Sequence, residues 1–172
     1  IIDCKVKKPW PEHDILTFWS DADRPAVDIP LTMVHHRWEL PLGEKTRKED
    51  FESEAQIWEL LSAFGMTDEY IEITHHAFYN HHIRMVDKWR NGRILLAGDA
   101  AHLMPPWAGQ GMQSGIRDAY SLAWRLRAIL KFGADDALLD SYQVERQPHV
   151  EAMTQSAISL GSLIEAKKGP AQ

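Results

Sequence analysis

The residues that could do chemistry begin with Asp99, a single carboxylate that follows Gly98 and the apolar run at residues 94–97. A continuous apolar run is typical of a strand that is covered on both faces, and open sheets bind ligands beyond the carboxyl ends of such strands. A carboxylate in that position can accept hydrogen bonds from sugar hydroxyl groups, and the preceding glycine allows another group to approach closely. Asp99 therefore predicts a site for a hydroxyl-bearing ligand.

The segment after this carboxylate adds a stiff loop and the start of a helix. Pro105 and Pro106 stiffen the loop, while Gly109 and Gly111 have no side chains that would keep a flat ligand away from the backbone. A helix predicted to begin near Met112 points unpaired N–H groups at the same place, where they favour negative charge. Each feature alone often marks only a turn, but their ordered combination indicates an extended and partly anionic cofactor.

These residues lie within a longer pattern that resembles a known family. Residues 92–126 read GRILLAGDAAHLMPPWAGQGMQSGIRDAYSLAWRL, and residues 138–149 read LLDSYQVERQPH. The pattern resembles the second flavin-binding motif, and the helix that follows it, of the FAD-dependent aromatic hydroxylases with the hydroxybenzoate hydroxylase fold. The likeness is greatest to the 3-(3-hydroxyphenyl)propionate and phenol-type hydroxylases. It is strong over residues 87–149 and general over residues 1–86.

The resemblance implies roles for the matching residues. Asp99 would hydrogen-bond the ribityl chain of FAD, for which Gly98 would leave room, and Pro105 would line the isoalloxazine ring. The helix N-terminus would meet the pyrimidine edge of the flavin, where Gln113 stands in place of the more usual asparagine. The cofactor-binding residues carried over are Gly98, Asp99, Pro105, Gly109, Gln110, Gly111, Met112 and Gln113. No catalytic residue is assigned, because the cofactor carries the difficult chemistry.

The resemblance also implies a reaction. NAD(P)H would reduce FAD, dioxygen would form a flavin C4a-hydroperoxide, and its distal oxygen would pass to a small phenolic substrate in aromatic compound catabolism. The family's first fingerprint, GxGxxG, and its middle DG motif are absent from these 172 residues. We therefore expect a C-terminal part of such a monooxygenase, inactive alone. The alternative is a non-enzymatic globular or metal-binding module derived from such an enzyme.

Composition limits the other classes of function. A hydrophobic content of 44% is normal for a globular domain with a core, and a net charge of -6 without a basic block gives no support for nucleic-acid binding. The single cysteine, Cys4, excludes an internal disulfide framework. No apolar run reaches the length of a membrane span and no signal-peptide pattern appears, so we expect a cytoplasmic protein without a membrane partner.

Hydrophobic periodicity predicts the elements that must position these residues. We expect strands within 14–20 and 26–42, a helix over 47–64 behind a Thr46–Glu49 capping box, a long strand over 70–86, and helices over 112–132 and 135–165, the last broken or kinked at Pro148. In the helix over 112–132 an apolar stripe should face the core: Ile116, Ala119, Leu122, Ala123, Leu126, Ile129 and Leu130.

The fold class expected is a mixed α+β and α/β fragment of the hydroxybenzoate hydroxylase-like FAD fold. Residues 1–88 would form the later half of a substrate-binding domain, and residues 89–172 the C-terminal part of the FAD-binding domain. Because the strand at 94–97 would be central in a complete enzyme, in this chain it should have unpaired edges and an exposed apolar face, which should cause self-association or poor solubility. Homo-oligomer formation is the other outcome left open.

Histidines and tryptophans offer further candidates. Family topology suggests that His36 and Trp38 share a strand face toward a substrate pocket, with Pro106 beside it, although core packing explains the two strand residues equally well. Pairs of histidines at 35–36, 75–76 and 81–82 could suggest a transition metal, but neighbours on a strand face opposite sides, so we expect no metal site. His102 is expected to order its loop, and Arg146 to form an ion pair.

Overall fold

The chain divides into two units, each with its own core. The first contains Ile1–Asn80 and the second His81–Ser162. The structure is a computed structural model that describes residues 1–21, 25–42, 47–51 and 53–164. The assignment of residues 1–88 to a substrate-binding domain and of 89–172 to an FAD-binding domain stays a prediction.

The first unit is built on an antiparallel sheet of five strands. The strands are β1 (Ile2–Val6), β2 (Thr17–Trp19), β3 (Ala26–Pro30), β4 (His35–Glu39) and β5 (Ile71–His76), in the spatial order β2-β3-β4-β1-β5. The strands predicted within 14–20 and 26–42 are confirmed, and the second run forms two strands, β3 and β4, that pair with each other. β-branched and aromatic side chains fit such a pleated surface well.

The core of this unit lies on one face of the sheet. In the pairing of β1 with β4, Ile2 stands opposite Trp38 and Cys4 opposite His36, so these side chains share a face. Ile57 of a helix joins Ile2, Cys4 and Trp38 in one buried cluster. Burial of each large apolar side chain contributes about 1.5–3 kcal/mol, so this face carries much of the stability of the unit.

The helix that covers this face begins later than predicted. A 3-10 turn at Lys48–Phe51 precedes α1 (Glu54–Ser62), whose N-cap is Ser53. The Gln56 N–H lies 3.4 Å from Ser53 Oγ, and the Ser53 N–H donates to Gln56 Oε1 at 3.0 Å. The capping box is therefore at Ser53, and the single helix expected over 47–64 is wrong, while Thr46 lies outside the described residues.

The long strand predicted over residues 70–86 is also wrong. Strand β5 ends at His76, and the Ala77 N–H donates to the Ile1 carbonyl at 2.9 Å, where the ladder with β1 stops. The second unit then has four two-residue strands: β6 (Arg84–Met85), β7 (Arg90–Asn91), β8 (Ile94–Leu95) and β9 (His102–Leu103). β6 pairs with β9 and β7 with β8, both antiparallel. Loose alternation of residue types was therefore not enough to sustain one strand.

The expected doubly covered strand at residues 94–97 is instead the short arm of a hairpin. Asn91 pairs with Ile94, and Gly92 adopts a φ of 60° in the two-residue turn between them. The sequence Asn91-Gly92 is typical of such a hairpin turn, which folds β8 back on β7 and leaves Ile94 67% exposed. The apolar run thus has one exposed side chain, Ile94, as expected for this chain alone, while Leu95 and Leu96 pack against the core of the unit.

Two long helices complete the second unit. They are α2 (Gly111–Phe132), ended by Gly133 at a φ of 70°, and α3 (Asp140–Ile164), which continues through Pro148 without a break. The apolar stripe of α2 faces this core only in part, because Leu122 packs against it while Ile116 is 56% and Leu130 73% exposed. The buried side chains of α2 are polar: Ser114, Asp118, Ser121 and Arg125. Among the described helices, none is long and apolar enough to cross a bilayer.

Candidate functional site

Asp99 lies on a three-residue 3-10 turn, Gly98–Ala100. Gly98 has a φ of 56°, a conformation that glycine adopts readily, and the turn is closed by the Ala101 N–H, which donates to the Gly98 carbonyl at 2.8 Å. Asp99 is exposed, and its carboxylate makes no hydrogen bond or ion pair with any residue that the structure describes. The turn therefore presents a carboxylate that is open to a ligand.

Helix α2 packs directly against this turn. A β-carbon placed on Gly115 would lie 3.4 Å from the Gly98 Cα, and one placed on Gly98 would lie 3.6 Å from the Gly115 Cα. Two glycines let the backbones of helix and turn approach this closely. Helix packing thus explains Gly98 by itself, and its predicted role in leaving room for a ribityl chain stays a prediction.

A buried carboxylate on α2 joins the turn to both long helices. Asp118 is fully buried, and its Oδ2 accepts from the Gly98 N–H at 3.0 Å and from His102 Nε2 at 2.7 Å. Its Oδ1 accepts from Arg146 Nε of α3 at 2.7 Å. The roles expected of His102 in ordering its loop and of Arg146 as an ion-pair partner agree with these contacts.

The charge of Asp118 is held by its neighbours. Burial alone would raise the pKa of this carboxyl, but hydrogen bonds from His102, Arg146 and the Gly98 N–H outweigh burial and lower the pKa below its usual value. A buried charge is tolerated only when it is paired and hydrogen-bonded in this way. Asp118 is therefore an anion in the folded protein, with hydrogen bonds at both oxygens.

Helix α3 supports the segment that leads into the turn. Tyr142 is fully buried, and its hydroxyl donates to the Leu96 carbonyl at 3.1 Å. Gln143 Oε1 accepts from the Trp89 N–H at 2.9 Å, and the Trp89 ring lies 5.3 Å from the ring of His102. Burial also raises the pKa of Tyr142, so the hydroxyl stays protonated and remains a donor.

The proline-glycine loop after the turn is anchored at one tryptophan. Pro105 is buried, a 3-10 turn covers Pro106–Ala108, and Gly109 ends it with a φ of 60°. The Trp107 indole packs directly against Gly161 of α3. A β-carbon placed on Gly161 would lie 2.3 Å from Trp107 Cδ1, too close for any larger residue at position 161. The loop is therefore held from α3, while Pro106 itself is exposed.

The N-terminus of α2 is open. The side chain of the N-cap residue, Gln110, makes no capping hydrogen bond, although Asp, Asn, Ser or Thr at that position would normally make one. Met112 is 72% exposed, and Gln113 is exposed as well. A helix start without a side-chain cap favours a negatively charged group, and the exposed carboxylate of Asp99 lies on the turn that packs against the same helix. These residues fit a cofactor with hydroxyl groups and an anionic edge.

The structure keeps the predicted substrate residues of β4 in the other unit. His36 and Trp38 are 1% and 0% exposed on the face covered by α1, and His36 Nε2 lies 3.2 Å from Asp28 Oδ1. This burial favours the core-packing interpretation, and a role in substrate binding stays a prediction. Among the described residues, no group of three or more His, Cys, Asp or Glu side chains could hold a metal ion.

Sequence reasoning missed the role of Asp118. The residue belongs to the quoted motif, but its part in holding the turn did not follow from the motif. A usable pattern was present, because Ser114, Asp118, Ser121 and Arg125 recur every three or four residues and so share one side of a helix. Polar residues at that spacing, on the side away from an apolar stripe, indicate a second face with its own partners.

Comparison with known proteins shows the family to which the chain belongs. The family model described as "FAD binding domain" matches residues 2–157. A 3-(3-hydroxy-phenyl)propionate/3-hydroxycinnamic acid hydroxylase of Mycolicibacterium vanbaalenii is 41% identical over 145 residues, which are 84% of this chain and 26% of the relative. Its counterpart in Escherichia coli O8 is 37% identical over 149 residues, 87% of this chain and 27% of the relative. The chain thus spans about a quarter of the length of these relatives.

Solved structures confirm the fold class. A ternary complex of aklavinone-11 hydroxylase with FAD and aklavinone matches with a TM-score of 0.83 at 24% identity, over 95% of this chain and 32% of that one. The p-nitrophenol 4-monooxygenase PnpA of Pseudomonas putida matches with a TM-score of 0.78 at 25% identity, over 99% of this chain and 44% of that one. The resemblance seen in the sequence is confirmed, FAD is the cofactor of the family, and the chain belongs to the FAD binding domain family of flavin-dependent aromatic hydroxylases.

Proposed function

We propose that this chain is the part of an FAD-dependent monooxygenase that holds the flavin end of the cofactor for hydroxylation of a phenolic substrate. The observation that carries the proposal is Asp99, an exposed carboxylate that makes no hydrogen bond or ion pair with the described residues. It lies on a turn packed against a helix whose N-cap residue, Gln110, makes no side-chain capping hydrogen bond. Membership of the FAD binding domain family and 41% identity to a hydroxylase of hydroxyphenylpropionate support it.

Each feature of the site has a chemical task in this proposal. Bound FAD, reduced by NAD(P)H, would supply the activation of dioxygen for transfer to a phenolic ring. Asp99 would accept hydrogen bonds from ribityl hydroxyls, and the N–H groups from Gly109 to Met112 would favour negative charge at the pyrimidine edge. Pro105 and Pro106 would keep the loop stiff beside the ring, which limits access of water.

The proposal also covers the predictions that concern the whole protein. A small phenolic substrate, dioxygen and NAD(P)H are its partners, aromatic compound catabolism is its setting, and the cytoplasm is its location. Because the chain spans only about a quarter of its hydroxylase relatives, we propose that residues 1–172 do not hydroxylate a substrate by themselves.

The test is an FAD titration of the full-length protein encoded by the gene that carries this sequence. Tryptophan fluorescence and flavin absorbance would report binding, with Asp99→Ala compared directly with the parent. Asp99→Ala removes one hydrogen bond to a charged group, so we expect it to weaken the affinity for FAD about tenfold or more. Equal affinity of the two proteins would remove Asp99 from the site.

Turnover is tested separately with 3-(3-hydroxyphenyl)propionate as the probe. The full-length protein should oxidise NADH or NADPH faster with this phenol than without it and should form a hydroxylated product detectable by mass spectrometry. The chain of residues 1–172, purified alone, is the matched comparison. If that chain is yellow and oxidises NAD(P)H in the presence of the phenol, its proposed inactivity is wrong.

A further inference from the structure

We propose that Asp118, His102 and Arg146 form a positioning clamp that sets the direction of the Asp99 carboxylate toward FAD. The inference rests on the proposed function and extends it to residues that do not touch the cofactor. Asp118 is fully buried, so it acts through the turn rather than on a ligand.

The clamp holds both ends of the segment that carries Asp99. One oxygen of Asp118 accepts from the Gly98 N–H at 3.0 Å, at the start of the turn, and from His102 Nε2 at 2.7 Å, just past its end. A turn of three residues with one internal backbone hydrogen bond has little stability of its own. Its conformation is therefore set by a contact from outside, and Asp118 supplies that contact at both ends.

Arg146 keeps the clamp charged. Its Nε donates to Asp118 Oδ1 at 2.7 Å, and the Arg146 side chain is itself only 10% exposed. This ion pair holds Asp118 as a carboxylate, so the other oxygen stays free to accept from two donors at once. An asparagine at position 118 has nearly the same shape as aspartate. Its NH₂ group, however, would face a donor at either position: the Gly98 N–H and His102 at Oδ2, or Arg146 at Oδ1.

Helix α2 transmits the position of the clamp. Gly115 lies one helical turn before Asp118 and contacts the Gly98 backbone, so the same helix both touches the turn and hydrogen-bonds it. The distance between turn and helix is thus set by glycine contact, and the rotation of the turn by the carboxylate. The N-terminus of this helix is the other half of the proposed flavin site.

The test compares FAD affinity in the full-length protein for variants that break or keep the clamp. Asp118→Asn and His102→Leu should each weaken FAD binding about tenfold or more, because a charge-assisted hydrogen bond to the turn is lost. His102→Gln keeps an N–H donor near the position of Nε2 and should stay within about threefold of the parent. This rescue separates donation of a hydrogen bond from mere filling of space.

Arg125→Met is the matched control for loss of a buried polar contact between the same helices. Arg125 is fully buried two turns further along α2, where it donates to Ser141 of α3 and does not contact the turn. Arg125→Met should destabilise the unit without changing the contacts that hold the Asp99 turn, so FAD affinity should stay within about threefold of the parent. Unfolding midpoints of all variants, measured in parallel, show whether the control is matched in stability.

The outcomes distinguish the clamp from the proposed function. Weak binding by Asp118→Asn and His102→Leu, with near-parent binding by His102→Gln and Arg125→Met, supports the clamp. If Asp99→Ala weakens binding but the clamp variants do not, the clamp is wrong and the FAD site stands. Equal weakening by Arg125→Met also overturns the clamp. If the parent binds no FAD, or if Asp99→Ala binds as the parent does, the proposed site fails and the clamp with it.

Discussion

Replacing Arg146 by methionine should destabilise the second unit, because it leaves a buried carboxylate without its cation. The Asp118 side chain is 0% exposed and the Arg146 side chain 10%. Removal of one partner from a buried ion pair typically costs about 3–5 kcal/mol. We expect the lower end, about 3 kcal/mol, since His102 and the Gly98 N–H still donate to Asp118. Methionine fills most of the space left by the arginine stem.

Hydrogen exchange measures this loss at the site itself. The Gly98 amide donates to Asp118, so its exchange rate reports opening of the turn from α2. A loss of about 3 kcal/mol should speed exchange in a peptide covering residues 98–102 about 100-fold in the full-length protein. Peptides from the other unit, such as one covering β4, serve as the internal control.

The pH dependence supplies a second check. The pKa of Asp118 is lower in the folded parent than in the unfolded chain, where it is about 4. The contribution of Asp118 to folding stability is therefore complete above the unfolded pKa and is lost as pH falls through the folded pKa. Without Arg146 the folded pKa of Asp118 must rise, and the variant can take up a proton at mildly acidic pH. The loss in free energy of unfolding caused by Arg146→Met should therefore be larger at about pH 8 than at about pH 5.

A double variant tests the reasoning about charge. Asp118→Leu combined with Arg146→Met removes both charges, and this protein should be more stable than Arg146→Met alone, since no unpaired carboxylate remains buried. A deficit below about 1 kcal/mol for Arg146→Met, or one that is the same at the two pH values, would refute the account of a buried and paired carboxylate.

Three further outcomes are expected. Gly161→Ala should lower the unfolding midpoint by the equivalent of about 1–3 kcal/mol through its clash with Trp107, and a smaller residue at 107 should restore it. Ser53→Ala should lower the free energy of unfolding, measured by urea titration, by about 1 kcal/mol because the capping box of α1 is lost. Ser53→Asp should leave this free energy unchanged, because aspartate also caps a helix. Because Ile116 and Leu130 are exposed, the isolated chain should self-associate in light scattering, and Ile116→Lys with Leu130→Lys should reduce this. Monodisperse monomers of the unaltered chain would contradict the last expectation.

Local sequence patterns determined much of the second unit. Helix α2 begins within one residue of its predicted start and ends at Gly133, because glycine adopts the left-handed conformation that closes a helix. The hairpin turn at Gly92 has the same local cause. Asp99 and the loop glycines were predicted as site residues from order and spacing, since strand end, turn and helix start follow one another along the chain.

Burial depended on tertiary partners, which periodicity does not reveal. The apolar stripe of α2 predicted one buried face, yet Ile116 is exposed while Leu122 packs against the core. The side of α2 that is buried carries Asp118 and Arg125, whose partners lie on a turn and on α3. A pattern within one element shows that it has two faces, but only the neighbouring elements decide which of them is covered.

The sequence by itself therefore determined the chemistry available at the site and the local backbone that carries it, because glycines, prolines and helix ends act over a few residues. Only the tertiary structure decided that Asp118 holds both ends of the Asp99 turn and that Arg146, 28 residues further along the chain, keeps it charged. Those contacts need the turn, β9, α2 and α3 to meet in space, and a buried charge is stable only where all of its partners are present together.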